Sequence, residues 1–228
     1  MKVKKSLALL ALTLSAALVV TSAQAEKKIK WKLHSAWGSA VPHLGTSATR
    51  FADNITRMSD GKFSVKFFEP GALVPGNEGF DATSKGSIEM AWTTAGYDVG
   101  KYPALAFFTA VPFGPSVGEY FAWKMFGGGN DIQQRIYEKH NIKQMDCFAI
   151  GPETSGWFKE PIEDLEQLRG LKMRFFGLGA RVMQKLGVST QLLAGGDIFP
   201  ALEKGVIDAT EFSMPAMGIK YGFYQIAK

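Results

Sequence analysis

The sequence predicts a two-lobed α/β fold, and three observations carry that prediction. An internal repeat comes first: Phe80-Asp81-Ala82-Thr83-Ser84-Lys85-Gly86-Ser87-Ile88-Glu89 returns 119 residues later as Phe199-Pro200-Ala201-Leu202-Glu203-Lys204-Gly205-Val206-Ile207-Asp208. Both copies read Phe-x-Ala-x-x-Lys-Gly-x-Ile-acid. Each copy has the form of a short helix stopped by a glycine, where left-handed backbone geometry is tolerated, followed by an extended segment that opens on Ile. The third observation is that helical and extended patterns alternate along the chain, which implies a mostly parallel sheet in each lobe. Ligands of such folds favour the crevice at the carboxyl ends of the strands.

The elements follow in order. Ile29–Ala36 alternates apolar positions (Ile29, Trp31, Leu33) and predicts a strand. From Pro42 to Ser59, Leu44, Ala48, Phe51, Ile55 and Met58 recur at spacings of 4, 3, 4 and 3, a single helical stripe with Pro in its first turn and Gly61 beyond its end. Lys62–Phe68 reads as a strand, and Glu69–Gly76, with two Pro and two Gly, as a loop. Helix Glu78–Lys85 and strand Ile88–Thr94 make the first repeated unit. Two helices, Val117–Phe126 and Asp131–His140, are separated by Gly127-Gly128-Gly129. Ile142–Ile150 reads as a strand that carries the chain across to the second lobe. A short helix (Leu165–Leu168), strand Leu171–Phe176, helix Gly179–Leu186 and strand Val188–Leu192 then lead into the second repeated unit. The expected boundaries are 26–148 for lobe one and 149–228 for lobe two.

The N-terminus gives an address. Lys2, Lys4 and Lys5 precede an apolar run from Ser6 to Val20, and Ala23-Gln24-Ala25 offers a small-x-small cleavage site. Residues 1–25 therefore read as a cleaved secretory signal peptide, its apolar run being short for a membrane span. A periplasmic location is expected. Three of the 26 basic residues lie in that segment, leaving 23 against 21 acidic, a net charge of +2. No run of Lys or Arg remains to track a phosphate backbone, so nucleic acid is not an expected partner. The single cysteine, Cys147, excludes an intramolecular disulfide and is expected to be a buried small hydrophobe.

Enzyme signatures are weak. The three histidines, His34, His43 and His140, have no metal-ligand spacing. Gly114-Pro115-Ser116-Val117-Gly118 matches a nucleophile-elbow pattern, but only His140 follows it. Ser116 with Glu119 reads more simply as a capping box. Gly177-Leu178-Gly179-Ala180-Arg181-Val182 has the start of a dinucleotide fingerprint, with bulky Val182 where its third glycine belongs. Asp197, ahead of Ile198-Phe199-Pro200, reads as a helix N-cap.

The strongest signal lies in the second half. Gly151-Pro152-Glu153-Thr154-Ser155-Gly156-Trp157-Phe158, Leu171-Lys172-Met173-Arg174 and the string Ala194 to Phe212 resemble DctP-type extracytoplasmic solute-binding proteins of TRAP transporters, nearest the branch that binds 2-oxo acids. Phe67 with Pro70-Gly71-Ala72-Leu73-Val74-Pro75-Gly76, Gly96-Tyr97 and Ala110-Val111-Pro112-Phe113 support the match. The resemblance implies a two-lobed periplasmic-binding-protein-like fold whose C-terminal part is incomplete here. Family members run on past the position of Lys228 to complete both sheets, so open strand edges and poor solubility are expected of a chain ending there.

It also implies a receptor rather than an enzyme, with a small organic acid anion and the membrane permease subunits as partners. Arg174 matches the arginine that clamps the substrate carboxylate, a role suited to its planar fork of donors. Glu153 stands where the keto-acid binders carry Gln at the ligand and its cation. Glu211 and Phe212 match a Glu-Trp pair lining the same site, and Phe212 keeps the aromatic wall without the indole donor. Tyr97 is expected to face the ligand from lobe one. Glu153 and Glu211, with Phe212 completing the set through backbone oxygen, are the candidate holders of Na⁺ or Ca²⁺, the second carboxylate favouring Ca²⁺. A 2-oxo or 2-hydroxy monocarboxylate is the expected ligand. The alternatives are a C4-dicarboxylate, or an extracytoplasmic enzyme on small carboxylates with Glu153 or Glu211 as general base.

Overall fold

The computed structural model describes residues 28–227, so the expected signal segment lies outside the described residues. Two sheets organise the chain. In the first, β1 (Ile29–Ser35) lies between β2 (Phe63–Phe68) and β3 (Met90–Trp92), all parallel. The second has the order β4-β7-β5-β6, with β4 (Trp157–Phe158), β5 (Lys172–Arg174), β6 (Ser189–Gln191) and β7 (Ala209–Thr210). There β5 runs parallel to both neighbours and β4 antiparallel to β7. The helices are α1 (Leu44–Met58), α2 (Gly79–Ser84), α3 (Val117–Phe126), α4 (Gly129–Glu138), α5 (Gly177–Lys185), α6 (Gly195–Glu203) and α7 (Pro215–Lys220). Each half repeats β-α-β-α-β with its first strand central, β1 in one and β5 in the other. The fold is the two-lobed α/β arrangement that the repeat predicts.

The repeat is exact at the level of hydrogen bonds. After α2, Gly86 at φ 71° donates to the Thr83 carbonyl and Ser87 donates to that of Ala82, both at 2.9 Å. After α6, Gly205 at φ 70° donates to Leu202 (3.1 Å) and Val206 to Ala201 (2.9 Å). These are two copies of one helix stop, which needs a left-handed residue where only glycine is unstrained. The following Ile, Ile88 or Ile207, is buried. The closing acid then fastens its segment to the central strand. Glu89 Oε2 accepts from the Lys32 amide (2.8 Å), and Asp208 Oδ2 from the Lys172 amide (3.2 Å).

One core joins the two sheets. Leu33, Trp37, Leu44, Ala48, Trp92 and Tyr97 from the first half pack in a cluster with Ile198, Leu202, Ile207, Phe212 and Phe223 from the second. The helical stripe on α1 holds for Leu44, Ala48, Phe51 and Ile55, but Met58 is exposed, the buried face turning instead through Gly45 and Ala52. Ser116 caps α3 in a full capping box with Glu119, and the α3–α4 break falls at Gly128, left-handed at φ 83°.

Three expectations are corrected. Ile142–Ile150 forms no strand: its polar groups go to side chains, Gln144 N to Gln134 Oε1 (3.0 Å) and Ile142 O from Gln134 Nε2 (3.1 Å). Asp146 is drawn to buried Lys124 (2.9 Å), and Phe148 stacks on Trp92. Cys147 on this segment is exposed, because the segment lies over the core without entering a sheet. Asp197 is not an N-cap either. The helix begins three residues earlier than its pattern suggests, with Ala194 at the cap, so Asp197 sits in the first turn where its charge favours the helix dipole.

Asp98, in the 3₁₀ turn Ala95–Asp98 after β3, is buried with its Oδ1 unpartnered. Burial pushes its carboxyl up to about 7, with Lys101 pulling it down and Asp81 pushing it up. The native chain therefore holds a proton that an unfolded Asp releases near 3.8. Between those values the native state binds more protons, so this group's contribution makes stability fall as pH rises, and above about 7 the penalty is constant. Asp98→Asn is expected to remove that slope and raise stability at pH 8 by on the order of 2 kcal/mol. Denaturant titrations at pH 5 and pH 8 check it; an unaltered difference between the two would show that Asp98 releases its proton as an ordinary carboxyl does.

Candidate functional site

The site grows out of the ends of two neighbouring strands. Arg174 is the last residue of β5 and pairs in register with Thr210, the last of β7. Glu211 follows at once, and its amide donates to the Arg174 carbonyl at 3.1 Å. Parallel pairing thus sets a guanidinium and a carboxylate side by side at the carboxyl edge of the second sheet, where α/β folds place ligands. Arg174 is only 2% exposed. Its Nη1 donates to Glu211 Oε2 (3.0 Å) and to the Glu211 carbonyl (2.6 Å), and its Nε donates to the Leu193 carbonyl (3.2 Å). The same Glu211 Oε2 accepts from the Phe176 amide at 3.1 Å. Two rings flank the guanidinium, Phe212 at 5.2 Å and Phe176 at 5.8 Å. Among the described residues, nothing hydrogen-bonds Arg174 Nη2, so one donor edge remains for something else, while the Glu211 carboxylate also meets the Glu153 carboxyl.

All five residues expected at the site meet here. Glu153 is exposed as a residue, yet it lines the same cleft as Glu211. Loss of solvent around its carboxyl and the adjacent Glu211 carboxylate push it up to about 8, while Arg174 and the Ser213 amide pull it down. Tyr97 comes from the first half, buried against Trp37 (6.2 Å) and edge-on to Phe176 (5.7 Å). Burial raises its phenol, which also feels the charges of Arg174, Glu211 and Glu153. Phe212 is buried and forms the wall between Arg174 and Tyr221. The cleft, of about 220 Å³, is lined by Ala110, Val111, Pro112, Glu153, Thr154, Phe175, Phe176, Gly179 and Glu211. A larger hollow of about 360 Å³, between Phe158, Ile162, Gln167 and Leu171, contains none of the five.

The donor set fits a hard cation in one respect. No group of three or more His, Cys, Asp or Glu side chains converges among the described residues, so no all-side-chain cage exists. What converges is the Glu153–Glu211 pair, where burial first, and then the hydrogen bond to and repulsion by the Glu211 carboxylate, raise the Glu153 carboxyl. A cation supported by these carboxylates, backbone oxygen and a ligand would relieve that repulsion.

Some residues of the site were not legible from sequence. In the sequence Phe176 is only an apolar continuation of its strand, and Trp37 and Tyr221 carry no signal. Ser213 is a non-glycine residue in left-handed geometry (φ 51°) with a buried, unpartnered hydroxyl, and it turns its amide toward Glu153. No sequence pattern announces a strained serine.

Residues 35–228 match the profile of the DctP family, the bacterial extracellular solute-binding proteins, family 7. The chain belongs to this family. Its members are extracytoplasmic solute-binding receptors. A monocarboxylate 2-oxoacid-binding periplasmic protein of Nostoc sp. is 39% identical over 202 residues, covering 88% of this chain and 55% of the relative. A TRAP transporter solute-binding protein from Bordetella bronchiseptica, solved with copurified calcium and picolinate, is similar at TM-score 0.84 and 36% identity, over 88% of this chain and 60% of that one. A TRAP periplasmic solute-binding protein from Pseudoalteromonas atlantica, with bound sodium and pyruvate, is similar at TM-score 0.83 and 32% identity, over 88% and 61%. The chain spans 55% to 61% of the length of these three relatives.

Proposed function

We propose that this protein is the periplasmic receptor of a TRAP transporter, capturing a small organic acid with a bridging cation between its lobes and handing it to the membrane permease. The observation that carries the reading is the buried Arg174, fixed by three contacts, two to Glu211 and one to the Leu193 carbonyl, while Nη2 has no hydrogen-bond partner among the described residues and Glu211 lines the cleft. A guanidinium held so firmly is preorganised for a carboxylate and loses little freedom on binding it. Glu153, Glu211 and the Phe212 backbone hold the cation; Tyr97, Phe176 and Phe212 wall the ligand. Relatives solved with picolinate and calcium, or pyruvate and sodium, support a 2-oxo or similar monocarboxylate and either ion. The site is read as a binding site without turnover, its open donor holding an anion. Cleavage of residues 1–25 on export belongs to the same reading.

The cation makes the test. The Glu211 carboxylate beside an anionic ligand places like charges at short range, and Glu153 adds a second once it gives up its proton, which is costly in a partly dry cleft. Affinity for pyruvate is therefore expected to fall at least tenfold when the protein is stripped with chelator and titrated calorimetrically in sodium-free buffer. Adding calcium or sodium restores it, and Glu153→Gln moves the preference from the divalent toward the monovalent ion, since one charge is lost and one oxygen kept. Full affinity without either ion would overturn the bridging role. Absence of binding with both ions present would overturn the receptor reading.

A further inference from the structure

We propose that the first turn of α5 is the second half of the carboxylate clamp, the free amides of Gly177, Leu178 and Gly179 taking an oxygen of the bound acid beside Arg174. The inference deepens the receptor reading above and rests on it. α5 starts three residues after Arg174, at the carboxyl end of β5. Phe176 stands at its N-cap with the extended backbone of a capping residue (φ −103°, ψ 142°), yet no side chain caps the helix and its first turn holds no acid. The amides of Gly177, Leu178 and Gly179 come too early in the helix to be served from within it, and among the described residues they meet no other acceptor. A turn left in this state presents the positive end of the helix dipole with its donors unspent.

The turn belongs to the cleft. Phe176 and Gly179 line it together with Glu153 and Glu211. Leu178, between them, packs against the first-half cluster of Phe80, Leu105, Phe108 and Tyr137, so the turn is held where the two halves meet. Arg174 is the independent sign that an anion binds there. It is 2% exposed, its guanidinium lies over the ring of the cap residue at 5.8 Å, and Nη2 has no partner among the described residues. Glu211 Oε2 ties guanidinium and helix together, accepting from Nη1 (3.0 Å) and from the Phe176 amide (3.1 Å). Neither site carboxylate satisfies the turn itself: Glu211 stops at the cap residue, and Glu153 takes the Ser213 amide. The carboxylate of a ligand fits the remaining place, with Arg174 on one side and the helix end on the other. The glycines suit the same role. Gly177 is left-handed at φ 58°, and a Cβ on Gly179 would stand 2.4 Å from Phe175 Cε1, so the backbone stays bare where an anion approaches. The Gly-x-Gly spacing that opens like a dinucleotide fingerprint is, in this assignment, a carboxylate cradle.

A serine at the cap makes the test. Phe176→Ser and Phe176→Ala both remove the ring, and only serine offers an oxygen to the amide of Leu178 or Gly179, where it competes with the ligand. Calorimetry with pyruvate on the full chain, calcium present, is expected to show Phe176→Ser binding at least about fivefold more weakly than Phe176→Ala while melting at a higher temperature. A merely structural turn would not move affinity and stability in opposite directions. In the unsubstituted chain, isotope-labelled at glycine nitrogen, the amide protons of Gly177 and Gly179 should move downfield as pyruvate saturates the site. Equal affinity in the two variants with serine the more stable, or glycine amides that stay in place at saturation, would overturn the assignment. Where serine adds no stability, or neither variant binds, the glycine amides decide alone. If the unsubstituted chain binds no pyruvate with calcium present, the receptor reading fails first, an outcome separable from a clamp without its helix half.

Discussion

Arg174→Ala is expected to remove measurable binding of a small acid such as pyruvate. Truncating one partner of a buried, hydrogen-bonded charge pair costs about 2–5 kcal/mol, roughly 30- to 5,000-fold in affinity. The argument has a second half, because Arg174 also neutralises Glu211, which is only 5% exposed. Without the guanidinium that carboxylate is left buried and unpaired, so the fold itself is expected to lose about 3–5 kcal/mol. Two further variants separate the effects. Arg174→Lys keeps the charge but cannot reproduce three directed donors to Leu193, Glu211 and a ligand, so it should fold better than alanine and bind far more weakly than arginine. Arg174→Met with Glu211→Gln removes both charges, and should regain much of the stability while binding nothing. Calorimetric affinity for pyruvate that survives in Arg174→Ala would sink the clamp.

That these residues stand out in the sequence has a physical cause. Arg174, Glu211, Phe212 and Tyr97 sit at the ends of strands in the repeated units, and strand ends in α/β folds converge, so a linear motif carries spatial information; Glu153 joins them from the irregular segment before β4. The helix stops after Lys85 and Lys204 were readable because glycine alone takes left-handed geometry without strain. What sequence could not give came from contacts between distant residues. The apolar run 142–150 has strand composition, yet its backbone is engaged by Gln134 and its acid by Lys124, partners that no local pattern reveals. Tyr221 looks like any aromatic after a short helix until Gly195 and Phe212 are seen packed around it. Met58 fell off its predicted face because Gly45 and Ala52 turned the helix onto small residues instead.

Gly96 marks where the two halves come closest, and it carries the other large expected effect. A Cβ on Gly96 would stand 1.9 Å from Phe176 Cζ and within 2.6 Å of both adjoining ring carbons. No side chain tolerates that, and Phe176 has little room to retreat, with Tyr97 edge-on at 5.7 Å and Arg174 at 5.8 Å. Gly96 and Phe176 belong to different halves, so the clash is relieved by parting them rather than by unfolding either. Gly96→Ala is therefore expected to hold the cleft open and weaken pyruvate binding by the cost of overpacking, about 1–3 kcal/mol or roughly 5- to 150-fold. Solution scattering should show a larger radius of gyration in the presence of ligand and calcium, with the melting temperature of the ligand-free chain nearly unchanged. Shortening the opposing ring in Gly96→Ala with Phe176→Leu should bring part of the affinity back, which a simple loss of backbone flexibility at residue 96 would not allow. Wild-type affinity and compactness in Gly96→Ala alone would mean that the close approach of Gly96 and Phe176 is no part of the ligand-bound state.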